Sequence, residues 1–362
     1  MKRFLIKCFI MAAFVYGIVV SVNLIADPAN IAGDDLVMCM AERLIEGEAV
    51  ASPGDYNEGL LQKLLLDERT PGTVIIGSSS VLYLPWEYED YRVVGLSGAY
   101  LWDDLAAVGL LEAKGELPER IVICVDPWIL RADQGVGHHE SISEYGLFEA
   151  ALSSGTPYDE ALKLLDADKS DDSWKEFLSY SYFQSSIEYI YKWGLSYALS
   201  PASEKVSVMG EADYDSVPCI LPDGRHTCLV REDGAKIEGD VRWLIESGHI
   251  DSFGEEFAEL SEDNKELFES LIRHLTSEGV TVELYLPAIY PTLYEYLESE
   301  SRYEGVELSE EWIRTVSAEY GVVVRGTFDP SLSGIESGDF ADWHHIVPDK
   351  GLEEYNFIME QR

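Results

Sequence analysis

The chain has 362 residues, 46% of them hydrophobic, which is enough apolar material for a large folded core and excludes an intrinsically disordered protein. Sixty-seven acidic against 26 basic residues leave a formal net charge of −41 at pH 7. That balance excludes nucleic acid as a partner, because phosphate binding needs clustered Lys and Arg, and its plainest reading is a solvated acidic surface.

From Phe4 to Ala26 the only charged side chain is Lys7, and the stretch is long enough to cross a hydrocarbon core as a helix. Lys2, Arg3 and Lys7 lie at its start, whereas Asp27, Asp34 and Asp35 follow its end. The positive-inside bias therefore predicts a single-pass protein of the cell membrane, with residues 1–26 as signal-anchor, a cytoplasmic N-terminus and an extracytoplasmic remainder. A cleaved signal peptide is the rival, but Asn23-Leu24-Ile25-Ala26 offers no small-x-small cleavage site.

Residues 27–70 read as a juxtamembrane helical stalk, with Leu36 to Leu66 broken by the turn cluster Ala51-Ser52-Pro53-Gly54-Asp55. The main domain, residues 71–362, opens with the β-type run Thr73-Val74-Ile75-Ile76, which ends in Gly77-Ser78-Ser79-Ser80. A second run, Arg92-Val93-Val94-Gly95-Leu96, ends in Ser97-Gly98, and a third, Ile121 to Val125, ends in Asp126-Pro127-Trp128. Between the last two, Leu101, Leu105, Val108 and Leu111 share one helical face, closed by Gly115 and Pro118. Apolar strands alternating with helices predict an α/β fold around a parallel sheet covered on both faces.

An insertion at about 131–239 interrupts this pattern. Its aromatic-rich helical stretch (Trp174, Phe177, Tyr180, Phe183, Tyr189, Trp193, Tyr197) reads as core in preference to a platform for sugar rings. Cys219 and Cys228 bracket Pro222-Asp223-Gly224, a turn that brings the chain ends together, so an exported protein is expected to carry a Cys219–Cys228 disulfide. Cys8 and Cys124 fall in apolar runs as inert thiols, and Cys39 has no assigned role. The α/β pattern resumes with a helix carrying Leu267, Phe268, Leu271, Ile272 and Leu275, stopped by Gly279. A strand from Val280 to Leu286, a last strand from Tyr320 to Val324 and a final helix at about Lys350 to Met359 complete the chain.

In an open α/β sheet, ligands bind beyond the carboxyl ends of the strands. Three such ends hold Ser79, Gly98 and Asp126, while Asp342-Trp343-His344-His345 precedes the final helix. A hydroxyl, an imidazole and a carboxylate are what nucleophilic acyl transfer requires. Gly77-Ser78-Ser79 after the first strand, together with the Asp-x-x-His spacing of Asp342 and His345, resembles the SGNH, or GDSL-like, hydrolase superfamily. That resemblance covers roughly Thr73 to Arg362 in block order, without the insertion. It implies a three-layer, flavodoxin-like α/β fold, with Ser79 as nucleophile, His345 as base and Asp342 as the orienting acid. The backbone N–H groups of Ser79 and Gly98 are then the oxyanion donors.

The third block departs from the hydrolytic members, because Asp126-Pro127-Trp128 lacks their asparagine. In this it is similar to the membrane-anchored branch that modifies envelope polymers, including D-alanyl transfer and alginate O-acetylation proteins. The expectation is an extracytoplasmic acyltransferase or esterase acting on a cell-surface polysaccharide or another acyl acceptor, partnered with a multi-pass membrane acyltransferase. Two alternatives stay open: a non-catalytic glycan-binding or assembly component with the same fold, and a secreted esterase of small esters. Asp126, Trp128 and Tyr290, the last in the rigid turn Pro287-Ala288-Ile289-Tyr290-Pro291, are candidate substrate-lining residues. No cofactor is expected, and no metal either, since His138-His139-Glu140 and His344-His345 lack the i, i+4 spacing of a helical zinc motif.

Overall fold

In a computed structural model the run after Pro71-Gly72 forms β2 (Thr73–Gly77), the second strand of the chain and the first of its main sheet. The structure describes residues 2–28, 35–53, 56–115, 117–132, 173–248, 250 and 253–359. His138-His139-Glu140 therefore lies outside the described residues, as does the first third of the expected insertion. β3 (Tyr91–Gly95), β4 (Arg120–Cys124), β7 (Thr281–Leu286) and β8 (Val323–Gly326) join β2 in a five-stranded sheet of order β3-β2-β4-β7-β8, every pair parallel. The protein is thus a mixed α/β fold on a parallel sheet.

Side-chain alternation explains why the central parts of these runs are apolar. Val74, Ile76, Val94, Ile121, Ile123, Val282 and Leu284 point to one face, where α4 (Leu101–Lys114) and later helices cover them. Ile75, Val93, Val122, Cys124 and Tyr285 point to the other, against Val81, Leu82, Trp86 and Tyr355. A strand buried on both faces has no solvent side for polar residues, so period two is hidden within a continuous apolar run. The chain leaves β2 for β3 on one side and returns to β4 on the other, which places the topological switch between the carboxyl ends of β2 and β4.

α1 (Lys2–Ala26) is long and apolar enough to cross a membrane, with nearly all of its surface exposed. The segment expected as a stalk is instead packed onto the domain. α2 (Asp35–Ile45) buries Val37, Met40 and Leu44 against Leu61 and Leu65 of α3 (Glu58–Glu68). Between them β1 (Ala49–Ala51) pairs antiparallel with β5 (Val208–Met209) and β6 (Cys219–Ile220). Two amphipathic helices with a β-type link cannot leave their apolar faces in water, and the hairpin of the insertion supplies the cover.

The expected disulfide is not present. Cys219 Sγ donates to Val217 O at 3.0 Å and Cys228 Sγ to Asp215 O at 3.5 Å, both as free thiols. Hairpin register is the reason: Thr227 N donates to Cys219 O, so Thr227 is the cross-strand partner, and Cys228 has already turned away with φ at 57°. The last strand also shifts, from the expected Tyr320–Val324 to Val323–Gly326. Tyr320 completes a long helix, Gly305–Tyr320, which ends on Gly321 in the left-handed conformation.

The C-terminal helix, Pro348–Tyr355, is pinned by a buried acid. Glu354 accepts hydrogen bonds from Tyr285 Oη and from Ala288 N, and burial pushes its carboxyl up to about 8, against the pull of those donors. The folded protein therefore keeps a proton there that the unfolded chain releases above its ordinary value of 4.5. The unfolded state binds fewer protons across that window, so this group's contribution falls as pH rises from about 4.5 to about 8 and is level beyond. Glu354→Gln is expected to be more stable than wild type at about pH 8 and to lose that advantage near pH 5, read from urea unfolding midpoints. A difference between the two proteins that does not change over this range would refute the assignment.

Candidate active site

Gly77 ends β2 where the two neighbouring strands crowd it, and Leu96 N donates to its carbonyl. A β-carbon at Gly77 would lie 2.5 Å from Cys124 Cβ, so no larger residue fits the turn as it stands. Ser78, fully buried, caps the single 3₁₀ turn Ser79–Val81 by accepting from Ser80 N at 3.2 Å. This places Ser79 on a tight turn at the rim of the sheet, partly exposed.

The partner residues come from a closed loop before the C-terminal helix. Phe340 and Ile346 form an antiparallel bridge and Ala341 N donates to His345 O at 2.8 Å, so four residues project as one tight turn. Asp342 holds this turn from within: its Oδ1 accepts from His344 N at 2.7 Å and His345 N at 2.8 Å. Its Oδ2 lies 2.8 Å from His345 Nδ1, and His345 Nε2 lies 2.8 Å from Ser79 Oγ. Ser79, 263 positions before Asp342, thus joins His345 and Asp342 in one continuous hydrogen-bonded chain.

Electrostatics fix the roles. Burial pushes the Asp342 carboxyl up, but the His345 ring and the two backbone N–H groups outweigh it and bring the carboxyl down to about 2. Asp342 is therefore an anion at any physiological pH, suited to hold the Nδ1 proton and to stabilise an imidazolium. His344 is handled in the opposite way. Burial, assisted by the His345 charge, lowers it to about 3, and its ring lies 5.5 Å from that of Trp128 and 5.3 Å from that of Trp343. It makes a neutral wall, edge-on to His345 at 5.1 Å.

Gly98 lies just beyond β3 with φ at 66°, and a β-carbon there would meet nothing within 4 Å. Its loop is fixed by Glu58, whose carboxylate accepts from Ser97 N at 2.7 Å and from Ser97 Oγ at 2.9 Å. Asp126 is buried beneath the serines. Burial raises its carboxyl to about 7, while the Ser78 and Ser80 hydroxyls and the charge of His345 pull it back. Trp128 donates from Nε1 to Ala99 O at 3.1 Å. Asp126, Trp128 and Tyr290 line one cavity of about 20 Å³ together with Ser80, Phe253 and His344. A second cavity, of about 10 Å³, is lined by Ser80, Tyr83, His344 and His345.

Sequence reasoning missed Tyr83, His226 and Glu58. Tyr83 stands edge-on to His345 at 5.8 Å and to His226 at 5.9 Å, and burial lowers His226 to about 4. Nothing local marks these residues: Glu58 and His226 come from segments with no motif of their own, and Tyr83 follows the serine turn as an ordinary aromatic residue. Among the described residues no group of three or more His, Cys, Asp and Glu side chains is arranged to hold a metal ion. The sequence matches no known family model, and no curated protein matches it.

Proposed function

We propose that this chain is an SGNH-like serine acyltransferase or esterase of flavodoxin-like, three-layer topology, held on the extracytoplasmic face of the membrane and acting on a cell-surface glycan. The observation that carries the reading is the continuous chain from Ser79 Oγ through His345 to Asp342, with 2.8 Å at each link. His345 Nε2 takes the Ser79 proton as Oγ attacks the acyl carbonyl. The N–H groups of Ser79 and Gly98 bind the oxyanion, and the leaving alcohol departs with the proton from His345. A second hydroxyl, from a glycan or from water, then gives its proton to His345 and attacks the acyl-enzyme, and Ser79 Oγ leaves taking that proton back from His345.

The strand order, equivalent to 2-1-3-4-5 within the main sheet, puts Ser79 and Asp126 at its switch point, where such sheets bind ligands. Both cavities beside the triad are about the size of one water, which favours a short acyl group such as acetyl over a fatty chain. A multi-pass membrane acyltransferase is the partner that would supply the acyl group. One departure favours the non-catalytic rival: the block that by the resemblance would hold an oxyanion-binding asparagine reads Asp126-Pro127-Trp128 and has none. Labelling with a fluorophosphonate separates the two. The proposed enzyme is expected to gain one covalent adduct, mapped by peptide mass to Ser79, and unlabelled protein under conditions that label a serine esterase would sink the proposal.

A further inference from the structure

The aromatic stretch of the insertion packs neither in the main core nor over the triad but on the outer end of α1. Asn23 Nδ2 donates to Phe177 O at 2.9 Å and to Ser179 O at 3.2 Å. Tyr16 Oη donates to Leu178 O at 3.1 Å, and Tyr182 Oη to Asp27 Oδ1 at 2.6 Å. An asparagine on a membrane helix is costly unless its amide is satisfied; these carbonyls take both N–H groups, while Oδ1 is buried without a hydrogen bond among the described residues.

The other side of the stretch is exposed and mixes large apolar side chains with Gln184 and Glu188. In α5 (Tyr180–Trp193), Tyr182 and Ser186 face inward, while Tyr180, Ile187 and Tyr191 share the opposite face, Tyr191 being 93% exposed. Trp174 before the helix, Trp193 in its last turn on the side of Ser186, and Leu195 beyond it are exposed as well. Charge sets the stretch apart as well: Lys175, Lys192 and Lys205 cancel Glu176, Glu188 and Glu204, in a chain whose net charge is −41.

We infer that residues 173–205 form a collar seated in the outer interface of the same bilayer that α1 crosses, so that the domain lies against the membrane rather than hanging free of it. Continuity with α1 names the occupant. A helix of 25 residues is about 37 Å long, against a hydrocarbon core of about 30 Å, and its basic end marks the inner side. The contact at Tyr16 then falls about 15 Å inside the outer end of the helix, and those at Asn23 and Asp27 fall at the outer surface. Trp and Tyr concentrate at that depth, where a ring is buried and its polar tip stays wet. A neutral patch also avoids the repulsion that an anionic surface exerts on the rest of this acidic chain. The inference rests on α1 spanning the membrane and is independent of the acyl-transfer reading.

α1 contains no tryptophan, so quenching of tryptophan by lipid reports on the remainder of the chain alone. Full-length protein is reconstituted in phosphatidylcholine vesicles whose acyl chains are brominated near the headgroup, and compared with unbrominated vesicles. Wild-type fluorescence is expected to be quenched, the Trp174→Phe/Trp193→Phe variant to lose most of that quenching, and Trp243→Phe to keep it. Wild type that floats with the vesicles but is not quenched, as when the patch binds another protein, overturns the collar while leaving the anchor standing. Quenching that survives in the double variant also overturns it, and protein that does not float removes the anchor and the collar together.

Discussion

Ser79→Ala is expected to lower acyl-transfer or esterase turnover by about 10⁴-fold or more while leaving the thermal midpoint near wild type, and His345→Ala to do the same. In the proposed acyl transfer the nucleophile and its base act as a unit, so losing either removes the covalent route. Asp342→Asn is expected to cost on the order of 10⁴-fold, because the amide no longer holds the Nδ1 proton and leaves His345 in the unproductive tautomer. Asp342 also accepts two backbone N–H groups in its own turn, which an asparagine oxygen can still do, so the loop should persist. His344→Ala is the discriminating control. Its ring is a neutral wall against Trp128 and its Nε2 and Nδ1 play no part in the link to Ser79, so a fall of less than about tenfold is expected. Steady-state rates on a short-chain acyl ester, with circular dichroism for fold, check all four variants. Inactive His344→Ala beside active His345→Ala would show that the loop is registered one residue differently from the structure.

Gly77→Ala is expected to destabilise the protein by about 3 kcal/mol and to reduce Fluorophosphonate labelling of Ser79 even in the folded fraction. The new methyl group meets Cys124 Cβ at 2.5 Å and Cys124 Cα and O at 3.3 Å, and none of these is the far end of a flexible side chain. β2 and β4 must therefore separate at the point where the serine turn begins. Cys124→Ala should not rescue the variant, since the clash is with the β-carbon that alanine retains, whereas Cys124→Gly should recover part of the loss. Denaturant midpoints of the single and double variants test this, and full rescue by Cys124→Ala would place the conflict at the sulfur instead.

Local signals in the sequence determined a good deal. Largely apolar runs of four to seven residues mark strands because both faces of a parallel sheet are buried, and they correctly locate β2, β3, β4 and β7 to within one residue. Leu101, Leu105, Val108 and Leu111 reveal α4, and Gly115 its end, because helical periodicity and a left-handed cap are properties of a few consecutive residues. Ser79, Asp342 and His345 were legible for a related reason: each sits in a short turn whose own residues shape it. The length and apolarity of α1 were equally plain.

Tertiary structure decided what depends on partners distant in sequence. Cys219 and Cys228 looked paired by loop length, but cross-strand register joins Cys219 to Thr227 instead. Val322, Val323 and Val324 follow Tyr320 closely enough to suggest one strand, yet packing keeps Tyr320 in a helix until Gly321 releases it. The supposed stalk buries its faces because β5 and β6 arrive from some 160 residues later to pair with β1. The aromatic stretch gives a strong helical signal but no address, and only its contacts with α1 show which side is packed and which is bare. The same holds at the site, where the ordinary carboxyls Asp126 and Asp342 are driven to about 7 and about 2. Burial raises the first despite the Ser78 and Ser80 hydroxyls and the charge of His345, and three N–H donors from one tight loop lower the second; both causes exist only once the chain has closed around them.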